Sequence, residues 1–250
     1  MSIENHQKAL VIIPVHNEEK KIAKVLDGLP RKILNVKIDI LVIDDGSTDK
    51  SKKIAKSRKC NILSHPSRLG YGTSVRDGFS YGLKHKYDYI LKLDADGQHD
   101  PFYIGTIVKI LLRGGVDYVI SSRYMREVDK LDIPPIERRL VNTMCTGAIN
   151  SITKLGLSDV FCGIFGLTYD LLSKLDLESS SYGLELEMIL QSHYLNARFL
   201  EIPHPLIYTK ESSKFLKTFG NNDRGSLGDR LALYSGIILD TLYKYKIKEI

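Results

Sequence analysis

The chain alternates between short apolar runs and longer segments in which apolar side chains recur every three or four positions. Residues 8–13 and 38–43 are nearly continuous apolar runs, a pattern typical of strands that are buried on both faces. Between them, apolar residues fall at helical spacing over 22–29, and Pro30 ends that helix. Strand, helix and strand in this order form a βαβ unit, which predicts a parallel sheet.

The same alternation continues along the chain. We predict further strands at 61–64, 87–93, 117–121, 160–167 and 198–202, and further helices after 73 and at 101–112, 136–155, 184–195 and 229–246. Strands that alternate with helices predict an open, mostly parallel α/β sheet with ligand loops at the carboxyl ends of its strands. We expect one large domain over 1–209, followed over 210–250 by a flexible loop and a C-terminal helix.

Composition excludes some classes of protein. Hydrophobic residues make up 43% of the 250 residues and charged ones 26%, as in ordinary soluble proteins. The polar start and the short apolar runs predict neither a secretory signal nor a membrane span, and three scattered cysteines favour reduced thiols in the cytoplasm. The net charge of +6 fits an anionic substrate, an anionic membrane surface or a plain soluble protein.

The strand at 87–93 is followed by a cluster of polar side chains, Asp94, Asp96, Gln98 and His99. Carboxylates at the end of a buried strand are costly unless a cation meets them. Mg²⁺ that carries a diphosphate is such a cation, because it is typically held by one or two carboxylates together with substrate phosphates. This loop therefore suggests an enzyme that uses nucleotide sugars.

Three other loops carry candidate ligand contacts. Asn17 is a good helix N-cap, with Glu18 in the first helical turn, so capping alone would explain both residues. Asp44 and Asp45 directly follow the second strand, and capping explains them less well, since either could accept a base N–H or a ribose hydroxyl. Gly70 lies before a helix, where a glycine lets the backbone approach a ligand closely.

Together these loops resemble a known family. The segments Pro-x-His-Asn-Glu-Glu, Val-Ile-Asp-Asp-Gly-Ser-Thr-Asp, Leu-Gly-Tyr-Gly and Leu-Asp-Ala-Asp-Gly-Gln-His are, in this order, similar to the family 2 glycosyltransferases with a GT-A fold. Further matches at 121–124, 159–163, 182–187 and 208–215 are most like the dolichol- or polyprenol-phosphate mannosyl- and glucosyltransferases of that family. The chain departs from this subgroup at Lys210, where arginine is usual, and at Gly183, where the glucosyl branch usually has aspartate.

The resemblance implies a donor site. The residues on the nucleotide side would be Pro14, Asn17, Glu18, Asp44, Asp45, Gly70 and Asp94. The implied metal ligands are Asp94, Asp96 and Gln98, around a Mg²⁺ or Mn²⁺ ion on the donor diphosphate. Such an ion would offset the charge that develops on the leaving nucleoside diphosphate.

The resemblance also implies an acceptor. A lipid phosphate is already a nucleophile and needs cations around it, for which the candidates are Arg123, Lys210 and Lys214, with Arg138 and Arg139 as weaker ones. A sugar hydroxyl would instead need a carboxylate base, for which the candidates are Asp159, Glu185 and Glu187, with Glu185 the better match. The resemblance also gives Asp96 and Arg123 a catalytic role. Glu187 lies two positions from Glu185, on another helix face, and is interpreted as solvated.

We therefore expect an inverting glycosyltransferase that moves a hexose from GDP-mannose or UDP-glucose to a polyprenyl phosphate. It would lie in the cytoplasm or peripherally on the cytoplasmic membrane face, with no nucleic-acid partner. One alternative is a family 2 enzyme that acts on a sugar hydroxyl in a polysaccharide or glycolipid, and another is a non-catalytic protein that binds nucleotide sugars. The C-terminal helix could rest on a membrane or pack on the domain or a dimer partner, and the oligomeric state stays open.

Overall fold

The computed structural model describes residues 7–125, 134–205, 207 and 227–246. One mixed sheet forms the centre of this part of the chain. Its strands are β1 (Lys8–Val15), β2 (Lys32–Ile33), β3 (Val36–Asp45), β4 (Asn61–His65), β5 (Tyr89–Leu93), β6 (Tyr118–Ser122), β7 (Ile164–Thr168) and β8 (Phe199–Pro203). The helices are α1 (Ile22–Asp27), α2 (Ser51–Ser57), α3 (Tyr71–Lys84), α4 (Phe102–Arg113), α5 (Ile136–Thr153), α6 (Tyr169–Leu172), α7 (Leu184–Tyr194) and α8 (Leu227–Lys246).

The strands follow the order β2-β3-β1-β5-β7-β6-β8, and β4 also pairs with β3. The pairs of β1 with β3 and β5, of β3 with β4 and of β6 with β8 are parallel. The short β2 is antiparallel to β3, and β7 is antiparallel to both of its neighbours, β5 and β6. The open, mostly parallel sheet predicted from the sequence is confirmed, with one reversed strand near its centre.

The reversal of β7 brings two distant loops together. Leu93, the last residue of β5, pairs with Ile164, the first residue of β7. The backbone N–H of Asp94 donates to the carbonyl oxygen of Gly163 over 3.1 Å. The loop that precedes β7 therefore lies at the same sheet edge as the loop that follows β5.

Helices cover both faces of the sheet. Strand alternation divides the apolar side chains of β1, so that Leu10 and Ile12 face α3, α5, α7 and α8, while Val11 and Ile13 face α1, α2 and α4. Each fully buried side chain of this kind contributes about 1.5–3 kcal/mol to stability. The two apolar layers hold the strand ends rigidly, so that the loops at the carboxyl edge are built on a fixed frame.

The C-terminal helix α8 packs against this domain. Tyr234 and Ile238 belong to the same buried cluster as α5 and α7, and Ile237 lies against Gly183 at the start of α7. The prediction that 210–250 contacts a membrane or a dimer partner stays a prediction, because much of that segment lies outside the described residues. No described helix is both long and apolar enough to cross a membrane.

The first helix begins later than expected. It starts at Ile22 with Lys21 as its N-cap, so Asn17 is not the cap and Glu18 is not in the first turn. Asn17 instead has a φ of 55°, a left-handed conformation that asparagine tolerates better than most residues. The prediction was wrong because the Asn17 side chain binds the loop after β3 rather than its own helix.

Candidate active site

An open pocket of about 660 Å³ lies at the carboxyl edge of the sheet, a size usual for sites that hold small ligands. The predicted residues that line it are Pro14, Asn17, Glu18, Asp45, Gly70, Asp94, Asp96, Gln98, Arg123 and Glu185. Asp44 and Asp159 are not among its lining residues. The predicted acceptor lysines, Lys210 and Lys214, lie outside the described residues.

Hydrogen bonds around Asn17 join the loops after β1 and β3. The Asn17 Oδ1 atom accepts the backbone N–H of Thr48 over 2.9 Å and that of Asp49 over 3.3 Å. The backbone N–H of Asn17 donates to the hydroxyl oxygen of Ser47 over 3.1 Å. We call Asn17, Ser47, Thr48 and Asp49 the Asn17 clamp, and Asn17 is its member that lines the pocket.

Asp44 and Asp45 point to opposite sides of β3, as successive strand residues must. Asp45 lines the pocket, and its Oδ1 atom lies 2.7 Å from the backbone nitrogen of Leu69 and 2.8 Å from Nδ1 of His65. Burial opposes the charge of Asp45, but these donors and the N–H of Gly70 outweigh it and lower its pKa.

Asp44 is buried, accepts the backbone N–H of Ser47 over 3.2 Å and does not line the pocket, so its contact with a nucleotide stays a prediction. The arrangement around Asp45 also includes His65, whose other ring nitrogen lies 2.9 Å from Asp77. Sequence reasoning missed His65, since a lone histidine at a strand end carries no distinctive signal.

A buried lysine lies under the predicted metal site. Lys92 is 1% exposed, and its ammonium nitrogen is 2.6 Å from Oδ1 of Asp94 and 3.9 Å from Oε1 of Glu185. Burial lowers the pKa of Lys92, but the two carboxylates outweigh that effect and hold its pKa above the ordinary value. We call Lys92, Asp94, Asp96 and Glu185 the Lys92 cluster. In the sequence, Lys92 could have been noticed as the single charged residue within an otherwise apolar strand.

Glu185 lies deep in the pocket wall. Its Oε1 atom accepts a short hydrogen bond from the Tyr71 hydroxyl, and within the described chain its buried Oε2 atom has no hydrogen-bond partner. Burial raises the pKa of Glu185 to about 7, against the opposing effects of Lys92 and Tyr71. A carboxyl group with such a pKa could accept a proton at neutral pH.

Asp94, Asp96 and Gln98 offer oxygen atoms to the pocket. Burial, and next the charge of Asp94, raise the pKa of Asp96, so this carboxyl pair lacks a full counter-charge. The Gln98 Oε1 atom accepts from Arg138 over 3.2 Å. Two carboxylates and an amide oxygen suit Mg²⁺ or Mn²⁺, but the described residues hold no ready group of three acidic, His or Cys ligands. Asp94, Asp96 and Gln98 would therefore suit an ion whose remaining oxygen ligands come from the phosphates of a bound ligand.

Gly163 packs directly on the carboxylate of Asp94. A Cβ atom at this position would lie 1.9 Å from Oδ2 of Asp94 and 2.5 Å from Nε2 of His99. The Gly163 N–H donates to that His99 nitrogen over 3.2 Å. Any larger residue at position 163 would displace Asp94, so this glycine is part of the site.

Arg123 is fixed by a buried ion pair. Its Nε and Nη2 atoms lie 2.7 Å and 2.9 Å from the two carboxylate oxygens of Asp159, and Asn142 donates to Asp159 over 2.6 Å. Arg123 and the hydrogen bonds outweigh burial and lower the pKa of Asp159. We call Arg123, Asp159 and Asn142 the Arg123 corner. Asp159, which is 0% exposed, serves to hold the guanidinium, and this geometry argues against its predicted alternative role as a base.

Two further predictions concern charged side chains near the pocket. Glu187 is buried, and it accepts the backbone N–H groups of Glu178 and Ser179 over 3.0 Å and 2.9 Å, so the interpretation that it is solvated was wrong. Arg138 lines the pocket, whereas Arg139 lines a smaller neighbouring cavity. Only Arg138 of these two arginines thus faces the ligand space.

Known proteins resemble this chain over most of its length. Residues 10–176 match the model of the family described as Glycosyl transferase family 2. An uncharacterized protein of Methanocaldococcus jannaschii is 32% identical over 214 residues, which cover 83% of this chain and 85% of that protein. The polyprenol monophosphomannose synthase of Mycolicibacterium smegmatis is 26% identical, over 88% of this chain and 84% of that protein.

A solved structure shares the fold. Glucosyl-3-phosphoglycerate synthase from Mycobacterium tuberculosis, in complex with Mn²⁺, UDP-glucose and phosphoglyceric acid, superimposes with a TM-score of 0.67. The sequence identity is 19%, over 96% of this chain and 79% of that chain. At this identity the similarity shows a common fold and no more.

Proposed function

The chain belongs to glycosyl transferase family 2, and from this premise we propose that the enzyme transfers a hexose from GDP-mannose or UDP-glucose to a polyprenyl phosphate, with inversion at the anomeric carbon. One observation carries the proposal. The same pocket presents two carboxylates that lack a full counter-charge, Asp94 and Asp96, and two arginines, Arg123 and Arg138. Such a pocket suits a metal-bound diphosphate and a second anion.

The donor would occupy the end of the pocket between the Asn17 clamp and Asp96. Asp45 and the backbone near Gly70 would border the nucleoside, and Asp94, Asp96 and Gln98 would hold Mg²⁺ or Mn²⁺. When bound, such an ion acts as a Lewis acid toward the leaving diphosphate. A protein of the same fold, the Mycobacterium tuberculosis synthase, binds Mn²⁺ and UDP-glucose, which supports a donor of this chemical class.

The acceptor phosphate would bind at the Arg123 corner. Asp159 holds the Arg123 guanidinium in place before any ligand arrives, so little ordering is needed on binding. Arg138 would supply a second positive charge, and Lys210 and Lys214 stay predictions. The polyprenol monophosphomannose synthase relative supports a lipid phosphate in this role.

The transfer itself would be a single displacement. A phosphate oxygen of the acceptor forms a bond to the anomeric carbon while the bond from that carbon to the diphosphate oxygen breaks. The electron pair of the broken bond stays on the nucleoside diphosphate. An ionised phosphate needs no general base, so the demand on the protein is to bring two anions together by charge and position.

An exposed apolar row beside the pocket fits a lipid acceptor. Ile136, Leu140 and Met144 follow one another at four-residue spacing on α5 and are 82%, 45% and 50% exposed. Leu233 of α8 is also exposed and lines the pocket. These side chains support peripheral contact with the cytoplasmic membrane face, where a polyprenyl chain would be anchored.

A second candidate function has its own supporting observation. The pKa of Glu185 is raised to about 7, and its buried Oε2 atom has no partner among the described residues. A base of this kind would suit transfer to a sugar hydroxyl. In that case Glu185 would be essential, whereas transfer to a phosphate would not need it as a base.

The test measures hexose transfer from labelled GDP-mannose and UDP-glucose, with Mn²⁺, to polyprenyl phosphate and to hydroxylated glycolipids. We expect a labelled lipid phosphate product, and we expect Asp96→Asn to lower kcat by about 10²–10³-fold, as the loss of a charge-stabilising group typically does. Glu185→Gln should change transfer to the phosphate less than about tenfold. Transfer to a hydroxyl acceptor alone, abolished by Glu185→Gln, would establish the second candidate instead.

A further inference from the structure

The Lys92 cluster contains a permanent cation at the place where a metal is expected. We propose that Lys92 is a positioning residue that stands in for a cation in the empty donor site, so that a divalent metal binds firmly only together with the nucleotide. This inference rests on the proposed function, because it assumes a metal that is held by Asp94 and Asp96. It concerns the order in which ligands bind, which the family motifs do not address.

The geometry places the ammonium against the metal-site carboxylate. Lys92 lies 2.6 Å from Oδ1 of Asp94, and the other oxygen of Asp94 packs on Gly163, so the carboxylate is fixed from both sides. A metal bound to Asp94 at a usual distance would lie roughly 4–5 Å from the ammonium. At that separation in a poorly solvated site, a dication and an ammonium repel each other strongly.

The ammonium cannot leave this position easily. Lys92 is buried at the residue before the end of β5, and its nitrogen also lies 4.8 Å from the centre of the Tyr71 ring and 5.8 Å from that of Phe165. Both aromatic faces favour a cation at this point. The charge is therefore built into the sheet and does not depend on a surface side chain.

Charge balance explains why the nucleotide would matter. Lys92 by itself offsets part of the charge of Asp94 and Glu185, which weakens the attraction for a dication. A bound diphosphate adds negative charge and further oxygen ligands, and it restores that attraction. The metal would thus be retained with the donor and released with the nucleoside diphosphate.

The test follows Mn²⁺ binding by the electron paramagnetic resonance signal of free Mn²⁺, with and without GDP or UDP. For the wild type we expect at least about tenfold tighter binding with nucleotide than without it. Lys92→Met removes the charge from a side chain of similar length, so it should bind Mn²⁺ alone at least about tenfold more tightly than the wild type. The nucleotide should then add little.

Three variants complete the experiment. Lys92→Gln removes the charge but keeps a hydrogen-bond donor for Asp94, and it replaces Lys92→Met if thermal melting shows that Lys92→Met does not fold. Lys92→Arg keeps the charge and should keep the weak binding of Mn²⁺ alone. Lys8→Met is the matched control, since Lys8 lies over the Tyr87 ring at 4.7 Å and donates to the His85 carbonyl rather than to a site carboxylate. Its Mn²⁺ affinity should equal that of the wild type.

The outcomes separate the two proposals. If folded Lys92→Met and Lys92→Gln bind Mn²⁺ alone no more tightly than the wild type does, the role of Lys92 is overturned and the proposed function stands. The same holds if the wild type binds Mn²⁺ equally well with and without nucleotide. If the wild type binds no Mn²⁺ even with GDP or UDP, the metal-dependent function itself fails.

Discussion

The Lys92 cluster and the Arg123 corner are both buried groups of charges, and they are balanced differently. In the corner, Arg123 and Asn142 together donate to both oxygens of Asp159. In the cluster, one ammonium faces the carboxylates of Asp94 and Glu185, and Asp96 lies close enough for the charge of Asp94 to raise its pKa. The carboxylate of the corner is satisfied without a ligand, whereas the carboxylates of the cluster need further positive charge.

The difference shows that burial alone does not decide the state of a carboxyl group. Asp159 and Glu185 are both almost inaccessible to water. The pKa of Asp159 is lowered because Arg123 and several donors outweigh burial, whereas burial raises the pKa of Glu185 to about 7. The number of donors, rather than depth, separates a carboxylate that holds a neighbour from one that can exchange a proton.

The prediction with the largest expected effect tests whether Asp159 supplies the counter-charge that the buried Arg123 needs. Asp159→Ala leaves the Arg123 guanidinium buried without its counter-charge, and we expect it to lower the free energy of unfolding by about 3–5 kcal/mol. Urea denaturation measures this loss. The matched control is Asp117→Ala, because Asp117 makes the same two-pronged contact with the exposed Arg198. That variant should lose about 1 kcal/mol or less of its free energy of unfolding. Equal losses in the two variants would mean that the buried ion pair of Arg123 is no more important for stability than the exposed one of Arg198.

The second prediction tests the cluster through pH. The folded-state pKa of Glu185 is about 7, above its ordinary value of 4.5, so its protonated form stabilises the fold fully below pH 4.5. That contribution is lost as pH rises through 7. Glu185→Gln does not ionise, so its stability relative to the wild type should grow by about 3 kcal/mol between pH 4.5 and pH 8.

Chemical denaturation at several pH values measures this growth. Tyr71→Phe should enlarge the pH dependence of the otherwise wild-type protein, because the Tyr71 hydrogen bond lowers the pKa of Glu185. A stability difference between Glu185→Gln and the wild type that stays constant over this pH range would mean that Glu185 is balanced as well as Asp159 is.

The smallest expected effect concerns the Asn17 clamp, which depends on neutral hydrogen bonds. Asn17→Ala removes the acceptor for Thr48 and Asp49 and should lower the free energy of unfolding by about 1–3 kcal/mol while it raises the KM for the nucleotide sugar. Asn17→Asp keeps an acceptor oxygen and tolerates the left-handed backbone, so its loss should be smaller. Steady-state kinetics and denaturation check both variants. An unchanged KM for Asn17→Ala would show that the Asn17 clamp plays no part in donor binding.

The regular half of the molecule was largely predictable. The alternation of apolar strands and amphipathic helices up to β6 fixes which loops share the carboxyl edge, and from this the grouping of Asp45, Gly70, Asp94 and Asp96 followed. The direction of β7 was not predictable, because the periodicity of a strand carries no information on whether its neighbours are parallel. Ion pairing was equally hidden, since residues 123 and 159 are far apart in sequence, and so Asp159 was read as a possible base rather than as the partner of Arg123.

The insertion of β7 between β5 and β6 has a consequence for how the protein is made. β6 is synthesised before both of its partners, β7 and β8, so a growing chain that ends near residue 160 carries β6 with no neighbour in the native order. β7 then has to insert between β5 and β6, which do not pair with each other in the finished sheet. We therefore expect the first half of the chain to remain prone to association until about residue 203 has left the ribosome, when the sheet can close.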